Sequence, residues 1–353
     1  MNVLKKLIKG VIKLTYAATR FNWLTFLKLW KKEASVVIYL SLMQKKGITG
    51  GEIIWDLGYI NGLIKNGCSF NLRLNIGNLR NKKILWSPYK GFDHWKFPNY
   101  TNTLIHISSQ LESKGNKVYP GSSEIAFLEN KAYMQLKFRE LKIKHPKTYI
   151  LEEIGEIEKI NIKFPVLIKG EHSSGSDDIY KIENEREYFQ FFQKNSYFRY
   201  NEKIIIQELL NIRKDLRVII VNDVIIHFFW KINCKNEWQP TATRYGSKVI
   251  FGDFPYQWEQ KILDVHKKLD LDMAAYDIAW DNDNLDDEPY FLEVSPRFSP
   301  NPNMDLVNKR YDYGSYKKKL LLKDSYDVKH VNIIYKIAQK YIETILMNNR
   351  STH

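Results

Sequence analysis

The stretch KDLRVIIVNDVIIHFFWKI, residues 214–232, limits most severely what this chain can fold into. Two long β-branched and aromatic runs flank Asn222-Asp223, a residue pair suited to a tight hairpin turn. A lone hairpin is marginal in water, so it needs further strands or a helix to pack on. The neighbouring sequence supplies strands: KIIIQELL (203–210) before it, MAAYDIAW (273–280) and PYFLEV (289–294) after it. A helical pattern, QWEQKILDVHKKLDLD, lies between, and the acidic segment DNDNLDDE joins the last two strands.

The N-terminal side of the hairpin mixes strands and helices. KFPVLIKG (163–170) reads as a strand, EHSSGSDDIYKI as a small-residue loop running into a second strand, and NEREYFQFFQKN as an amphipathic helix. A long helix is predicted from about Ser123 to Leu141, ended by His145-Pro146 and followed by a strand at Thr148–Leu151. In residues 34–115, SVVIYLSLMQKKG reads as helical, with a glycine turn at Gly47, Gly50 and Gly51 and another helix ending at Gly67. KKILWSPY and TLIHIS read as strands, as does Lys117–Tyr119, and VKHVNIIYKIAQKYIETILMNN as a closing helix. The fold class is therefore α/β (α+β).

The first 32 residues carry eight Lys/Arg and no acid, within a net charge of +14. Leu4, Leu7, Ile8, Val11 and Ile12 share one helical face, with Lys5, Lys6, Lys9 and Lys13 off it. Phe21, Trp23, Phe26, Leu27 and Trp30 follow, again among lysines. Such a segment suits an anionic membrane interface, or packing on its own protein or a second copy in a homodimer. No uncharged apolar run reaches the roughly 18 residues of a transmembrane helix, and lysines interrupt every candidate signal sequence. Cys68 and Cys234 form no disulfide framework or zinc spacing, which suits a reducing compartment. The expected location is cytoplasmic, peripheral at the inner face of a membrane. Elsewhere the basic residues are dispersed rather than striped, which argues against a nucleic-acid surface.

Chemistry-bearing candidates cluster near strand ends. Lys169 precedes Gly170 and the loop Ser173-Ser174-Gly175-Ser176, whose backbone N–H groups could approach phosphate oxygens; a plain hairpin loop is the other reading. The Walker and Rossmann glycine patterns are absent. Asp277 and Glu293 fall on strands expected to pair, where buried carboxylates require cation partners. Those partners are either nearby Lys/Arg side chains or a shared divalent cation. The 281–288 turn lacks the glycine and distal glutamate of a calcium loop.

In their order along the chain, these pieces resemble the ATP-grasp superfamily of carboxylate–amine ligases over residues 105–345. ENKAYMQLKFRELKIKHPKTYIL is similar to the family's first lysine helix and strand, with Lys131 as a phosphate contact. FPVLIKG places the second lysine at Lys169, and EHSSGSDDI resembles the phosphate loop, Ser173–Ser176. IIIQELL resembles the adenine hinge at Gln207, Glu208 and Leu209. KDLRVIIVND resembles the following strand, with Asp215 near the nucleotide and Arg217 toward the transferring phosphoryl. Lys231 falls at a further basic position. YDIAW and FLEVSPR resemble the metal strands, with Asp277, Glu293 and Ser295 toward Mg²⁺ and Arg297 toward an anionic substrate. Arg244, in QPTATRYGSK, is a further candidate for the carboxylate, or a solvated surface arginine. The family's asparagine after the metal glutamate is Ser295 here, with Asn301 and Asn303 nearby. Phe298-Ser299-Pro300 replaces the usual glycine.

The resemblance implies two lobes gripping ATP, 116–202 with the phosphate loop and 203–353 with the metal site. A basic segment (1–33) and a smaller α/β domain (34–115) would precede them. It implies ATP and Mg²⁺ as cofactors and an amide product formed through an acyl phosphate. An acidic surface glycan or its precursor is the expected carboxylate, coupled to an amine. A peptide or amino-acid ligase, a kinase and a nucleotide-binding protein without turnover are the alternatives.

Overall fold

The computed structural model describes residues 11, 13–40, 52–75, 77–88, 100–172, 178–195, 203–301 and 326–347. The chain forms two compact bodies, one made of Met1–Ile125 with Arg297–His353 and the other of Ala126–Pro296.

The first body is built on a parallel sheet. Its strands are β1 (Val36–Tyr39), β2 (Phe70–Arg73), β3 (Lys83–Trp86) and β4 (Lys117–Tyr119), in the order β2-β1-β3-β4. Parallel neighbours require a crossover, and helices Glu52–Lys65 and Tyr100–Glu112 provide two of them. SVVIY, expected to be helical, is β1. Its β-branched Val36, Val37 and Ile38 are all buried, the pattern of a central parallel strand. TLIHIS, expected to be a strand, lies inside the helix Tyr100–Glu112. The buried positions Thr101, Leu104, Ser108 and Leu111 recur at helical spacing, which the short apolar window concealed.

The last helix, Tyr326–Met347, was grouped by sequence with residues 203–353; in the structure it packs on the helix Glu52–Lys65 in the first body. Glycines make the approach close. A Cβ at Gly58 would lie 2.9 Å from Ala338 Cβ, and one at Gly62 3.3 Å from Gln339 Cα. Leu63, Ile337, Ala338 and Ile342 are fully buried here.

The second body holds two sheets. One is antiparallel, with β5 (Thr148–Leu151), β6 (Val166–Gly170), β7 (Ile179–Ile182) and β8 (Ile204–Glu208) in the order β5-β8-β6-β7. Val166, Ile168 and Ile206 face a core with Tyr188 and Phe192 of the helix Glu185–Lys194. Strand alternation sends Leu167, Lys169 and Gln207 to the other face. The second sheet contains β9 (Lys214–Val221), β10 (Val224–Ile232), β11 (Lys248–Ile250), β12 (Met273–Ala279) and β13 (Tyr290–Ser295), in the order β11-β10-β9-β12-β13. The predicted hairpin is present, and Asn222 takes the left-handed conformation at its turn with φ 52°. Leu216, Val218, Ile220, Tyr276 and Ile278 pack into one core with Ile262 and Val265 of the helix Glu259–Lys268.

The long helix expected over Ser123–Leu141 is interrupted. Ser122–Ile125 and Lys131–Glu140 are separate helices, with Glu129 at φ 47° between them. Asn130 caps the second by accepting from the Tyr133 N–H at 3.0 Å, which sets Lys131 at the helix start. Among the described residues no helix is long and apolar enough to cross a membrane.

Candidate active site

On β9, Leu216 and Val218 point into the core, so Asp215 and Arg217 share the opposite face. Register then assembles a charged row across the sheet. Lys231 on β10 stands opposite Asp215, Asp277 on β12 opposite Arg217, and Glu293 on β13 opposite Asp277. A bulge beside Asp277 keeps Glu293 in line while Phe291 stays in the core. Ser295, two residues after Glu293, falls on the same face, opposite Ala275.

Of the two kinds of partner open for Asp277, the Lys/Arg side chains are present. Arg217 Nε donates to Asp277 Oδ1 at 2.7 Å, and its terminal nitrogen to Oδ2 at 2.6 Å. Lys231 Nζ lies 3.1 Å from the same Oδ2 and 3.0 Å from Asp215 Oδ1. Thr241 Oγ donates to the other oxygen of Asp215. Arg217, expected to face the transferring phosphoryl, is thus bound to the carboxylate expected to hold metal. Burial works against the charge on Asp277, but Arg217 and Lys231 outweigh it and hold this carboxyl well below the usual range. Burial likewise opposes the charge on Arg217, and Asp277 more than compensates, raising its pKa. Asp215 is different: burial pushes it up to about 6, against the pull of Lys231.

The facing sheet contributes Lys169, and the start of the helix Lys131–Glu140 contributes Lys131. Lys169 Nζ donates to Gln207 Oε1 at 2.5 Å, Gln207 Nε2 donates to Thr148 Oγ at 2.8 Å, and Thr148 Oγ donates to the Pro146 carbonyl at 2.7 Å. Gln207, expected to meet adenine, lines the pocket and also holds the Lys169 ammonium. Burial and the charge of Lys131 lower the Lys169 pKa to about 8, against Glu293 and Asp277. Lys131 itself is buried. Its backbone N–H donates to the Glu171 carbonyl at 3.0 Å, and His172 Nδ1 donates to the Glu129 carbonyl at 3.1 Å.

These groups open onto one pocket, between the two sheets of the second body. Lys169, Gln207, Asp215, Lys231, Asp277 and Glu293 form its polar side; Leu167, Leu209, Leu210, Trp238 and Leu292 form its apolar side. Glu208 also lines it. Of the cations, Lys169 and Lys231 line the pocket, among the carboxylates Glu208, Asp215, Asp277 and Glu293; such a mixed polar side beside an apolar wall suits a ligand with a charged, cation-bearing end and a flat apolar one. Thr148, Thr241 and Trp238 were not singled out by sequence. Thr148 and Thr241 lie in quoted stretches, KHPKTYIL and QPTATRYGSK, but their partners depend on strand register and loop return. Ser173–Ser176 and the Arg244 side chain lie outside the described residues. Arg297 begins the return of the chain into the first body.

A family model for the RimK-like ATP-grasp domain matches residues 129–306, half of the chain. The chain belongs to the RimK-like ATP-grasp family. No curated protein matches it in sequence. Its fold is similar to that of a D-alanine–D-alanine ligase from Bacillus anthracis complexed with ATP. That likeness has a TM-score of 0.51 at 13% identity and covers 88% of this chain and 98% of the ligase. It is also similar to a RimK domain ATP-grasp protein from Sphaerobacter thermophilus, with a TM-score of 0.50 at 12% identity, covering 86% of this chain and 98% of that one. The ATP-grasp match takes in both sheets of the second body and every charged group of the pocket.

The oxygen donors on the row suit Mg²⁺, which is held by one or two carboxylates together with substrate phosphates. Glu293 lines the pocket in register with Asp277, so these two carboxylates are the ones that would hold it. Asp277 would share its oxygens between such an ion and the paired cations.

Proposed function

We propose that this ATP-grasp protein is an ATP-dependent ligase that joins a carboxylate to an amine through an acyl phosphate. The observation that carries the reading is the pocket with Lys169 on one sheet, the Asp277–Glu293 pair on the other, and an apolar wall at Leu209 and Leu292. In this reading the base lies against the apolar wall, beside the Glu208–Leu209 hinge. Lys131 and Lys169 neutralise the phosphates, and Gln207 fixes the Lys169 ammonium where a phosphate oxygen would meet it. Glu293 and Asp277, with Ser295 beside them, are the groups that would hold Mg²⁺, whose chemistry is to offset phosphate charge.

The carboxylate substrate attacks the γ-phosphorus, and ADP departs with the bond electrons. The amine then attacks the acyl carbon, inorganic phosphate leaves, and the amine gives up a proton. Such a reaction depends on alignment and charge stabilisation rather than on a protein nucleophile. Arg217 acts by holding Asp277, and Lys231 by bridging Asp277 and Asp215. Arg297 and Arg244 are the proposed carboxylate-binding arginines. The proposed substrates are a small-molecule, peptide or glycan carboxylate and an amine.

The test is ADP release across pairs of carboxylates and amines, with mass spectrometry of the products. An amide with ADP and phosphate supports the ligase. A stable phosphorylated product makes the protein a kinase. Glu293→Gln is expected to lower turnover at least 100-fold, and unchanged turnover overturns the assignment of Glu293.

A further inference from the structure

The first body carries a surface that the ligase reading does not use. The helix Trp23–Leu29 is fixed from one side only. Phe26 is buried and packs on Phe70 with ring centroids 5.5 Å apart, and Phe21 is buried beside Phe26. The other side is apolar but faces outward. Leu24 is 83% exposed, Leu27 63%, Trp23 51% and Trp30 49%. Residues 23, 27 and 30 follow one another at helical spacing, so these side chains form a single ridge. Trp30 is the extended C-cap of this helix, and the Trp23 and Trp30 rings rest on Phe26 at 5.4 and 6.0 Å while about half of each stays exposed; exposed apolar residues this large and adjacent mark a contact surface.

The charge around the ridge indicates what it contacts. Arg20, Lys28, Lys31 and Lys32 are exposed at its flanks, and the first 32 residues contain no acid. A second copy of the same surface would set these cations against each other. An anionic lipid surface instead meets both needs, taking the tryptophans and leucines at the headgroup level and the lysines at the phosphates.

We propose that the Trp23–Leu29 helix is an interfacial anchor that seats this protein on anionic lipid bilayers. Its ridge enters the headgroup region without crossing the membrane, and its lysines set the preference for negative charge. This anchor is independent of the chemistry of the second body.

The full-length protein is tested by co-sedimentation with vesicles of phosphatidylglycerol and phosphatidylcholine, and with vesicles of phosphatidylcholine alone. Binding is expected to the anionic vesicles, weakening as salt rises. The double variant Leu24→Glu, Leu27→Glu is expected to lose at least tenfold in binding. Lys28→Gln with Lys31→Gln and Lys32→Gln is expected to lose on the order of 100-fold. Thermal melting checks folding, because all five side chains are exposed and their replacement should leave the melt unchanged. Equal binding to neutral vesicles overturns the proposal, as does full binding by the folded Leu24/Leu27 variant. A concentration-dependent dimer that the Leu24/Leu27 variant abolishes, without vesicle binding by the parent, assigns the ridge to a second copy and overturns it too. A lowered melt with unchanged vesicle binding means the ridge is covered by the protein itself, and that outcome overturns the proposal as well.

Discussion

Arg217 and Asp277 meet across β9 and β12 as a two-pronged ion pair, with contacts of 2.7 and 2.6 Å. Lys231 joins the same carboxylate from β10. Removing one partner of a buried pair leaves uncompensated charge, a loss of about 3–5 kcal/mol when burial is complete. Here the side chains of Arg217 and Asp277 keep 25% and 10% of their exposure, so Asp277→Asn is expected to cost about 2–3 kcal/mol. Urea unfolding measures this. A change below about 0.5 kcal/mol would mean that the pair contributes little.

In the proposed ATP site, Lys169 would set function against stability. Its pKa is lowered to about 8 by burial and by Lys131, below the roughly 10.4 of a free lysine. The unfolded chain therefore binds the proton more tightly, and stability rises as pH climbs from about 8 toward the unfolded value. At pH 7 the folded protein carries an unfavourable ammonium. Lys169→Met is expected to raise the unfolding midpoint at pH 7 while weakening ATP binding at least tenfold. In the parent, ATP affinity is expected to fall above pH 8 as the ammonium deprotonates. Calorimetric titration with ATP across roughly pH 6.5–9.5 follows the affinity, and urea unfolding over the same range follows the stability. A flat profile would place the Lys169 charge outside the phosphate site.

Thr241 helps to keep Asp215 ionised. Its hydroxyl donates to the Asp215 carboxylate, whose pKa burial has raised to about 6. Thr241→Val removes a donor to the charged form, so the titration should move higher. Carbon-13 NMR of the Asp215 carboxyl reads the shift directly. An unmoved titration would show that the hydroxyl does not act on it.

Gly58 lets the helix Tyr326–Met347 approach the helix Glu52–Lys65. A Cβ there would meet Ala338 Cβ at 2.9 Å, and Tyr335 and Ile334 side chains stand behind it. Gly58→Leu is expected to destabilise by about 1–3 kcal/mol through overpacking. Helix propensity alone predicts the opposite sign, a gain of nearly 1 kcal/mol. Guanidinium unfolding therefore distinguishes close packing from a loose surface contact.

The hairpin at Asn222-Asp223 and the strands MAAYDIAW and FLEVS were legible because their apolar alternation is long and their turn chemistry is local. Lys169 and Glu293 stood out for the same reason, as charged residues set against strand runs. The Arg217–Asp277 pairing was not legible, since it depends on which residue of β12 lies opposite β9. The Gln207–Lys169 hydrogen bond was not legible because the strand containing Gln207 does not reveal that Lys169 lies diagonally opposite on β6. TLIHIS and SVVIY were exchanged in type because a few apolar residues fit a helix or a strand equally well; sheet position decided them. The final helix carried a clear amphipathic pattern, but nothing local indicated that its partner lay near residue 58.

The backbone tie from Lys131 to Glu171 has a mechanical consequence. The Lys131 N–H is bonded to the Glu171 carbonyl, and His172 reaches back to Glu129. Lys169 stands only two residues before the first of these clasps. The two lysines are thus geared together through one short stretch of main chain. A triphosphate in the proposed site would therefore meet two ammonium groups whose spacing is set by this backbone clasp rather than by side-chain reach alone.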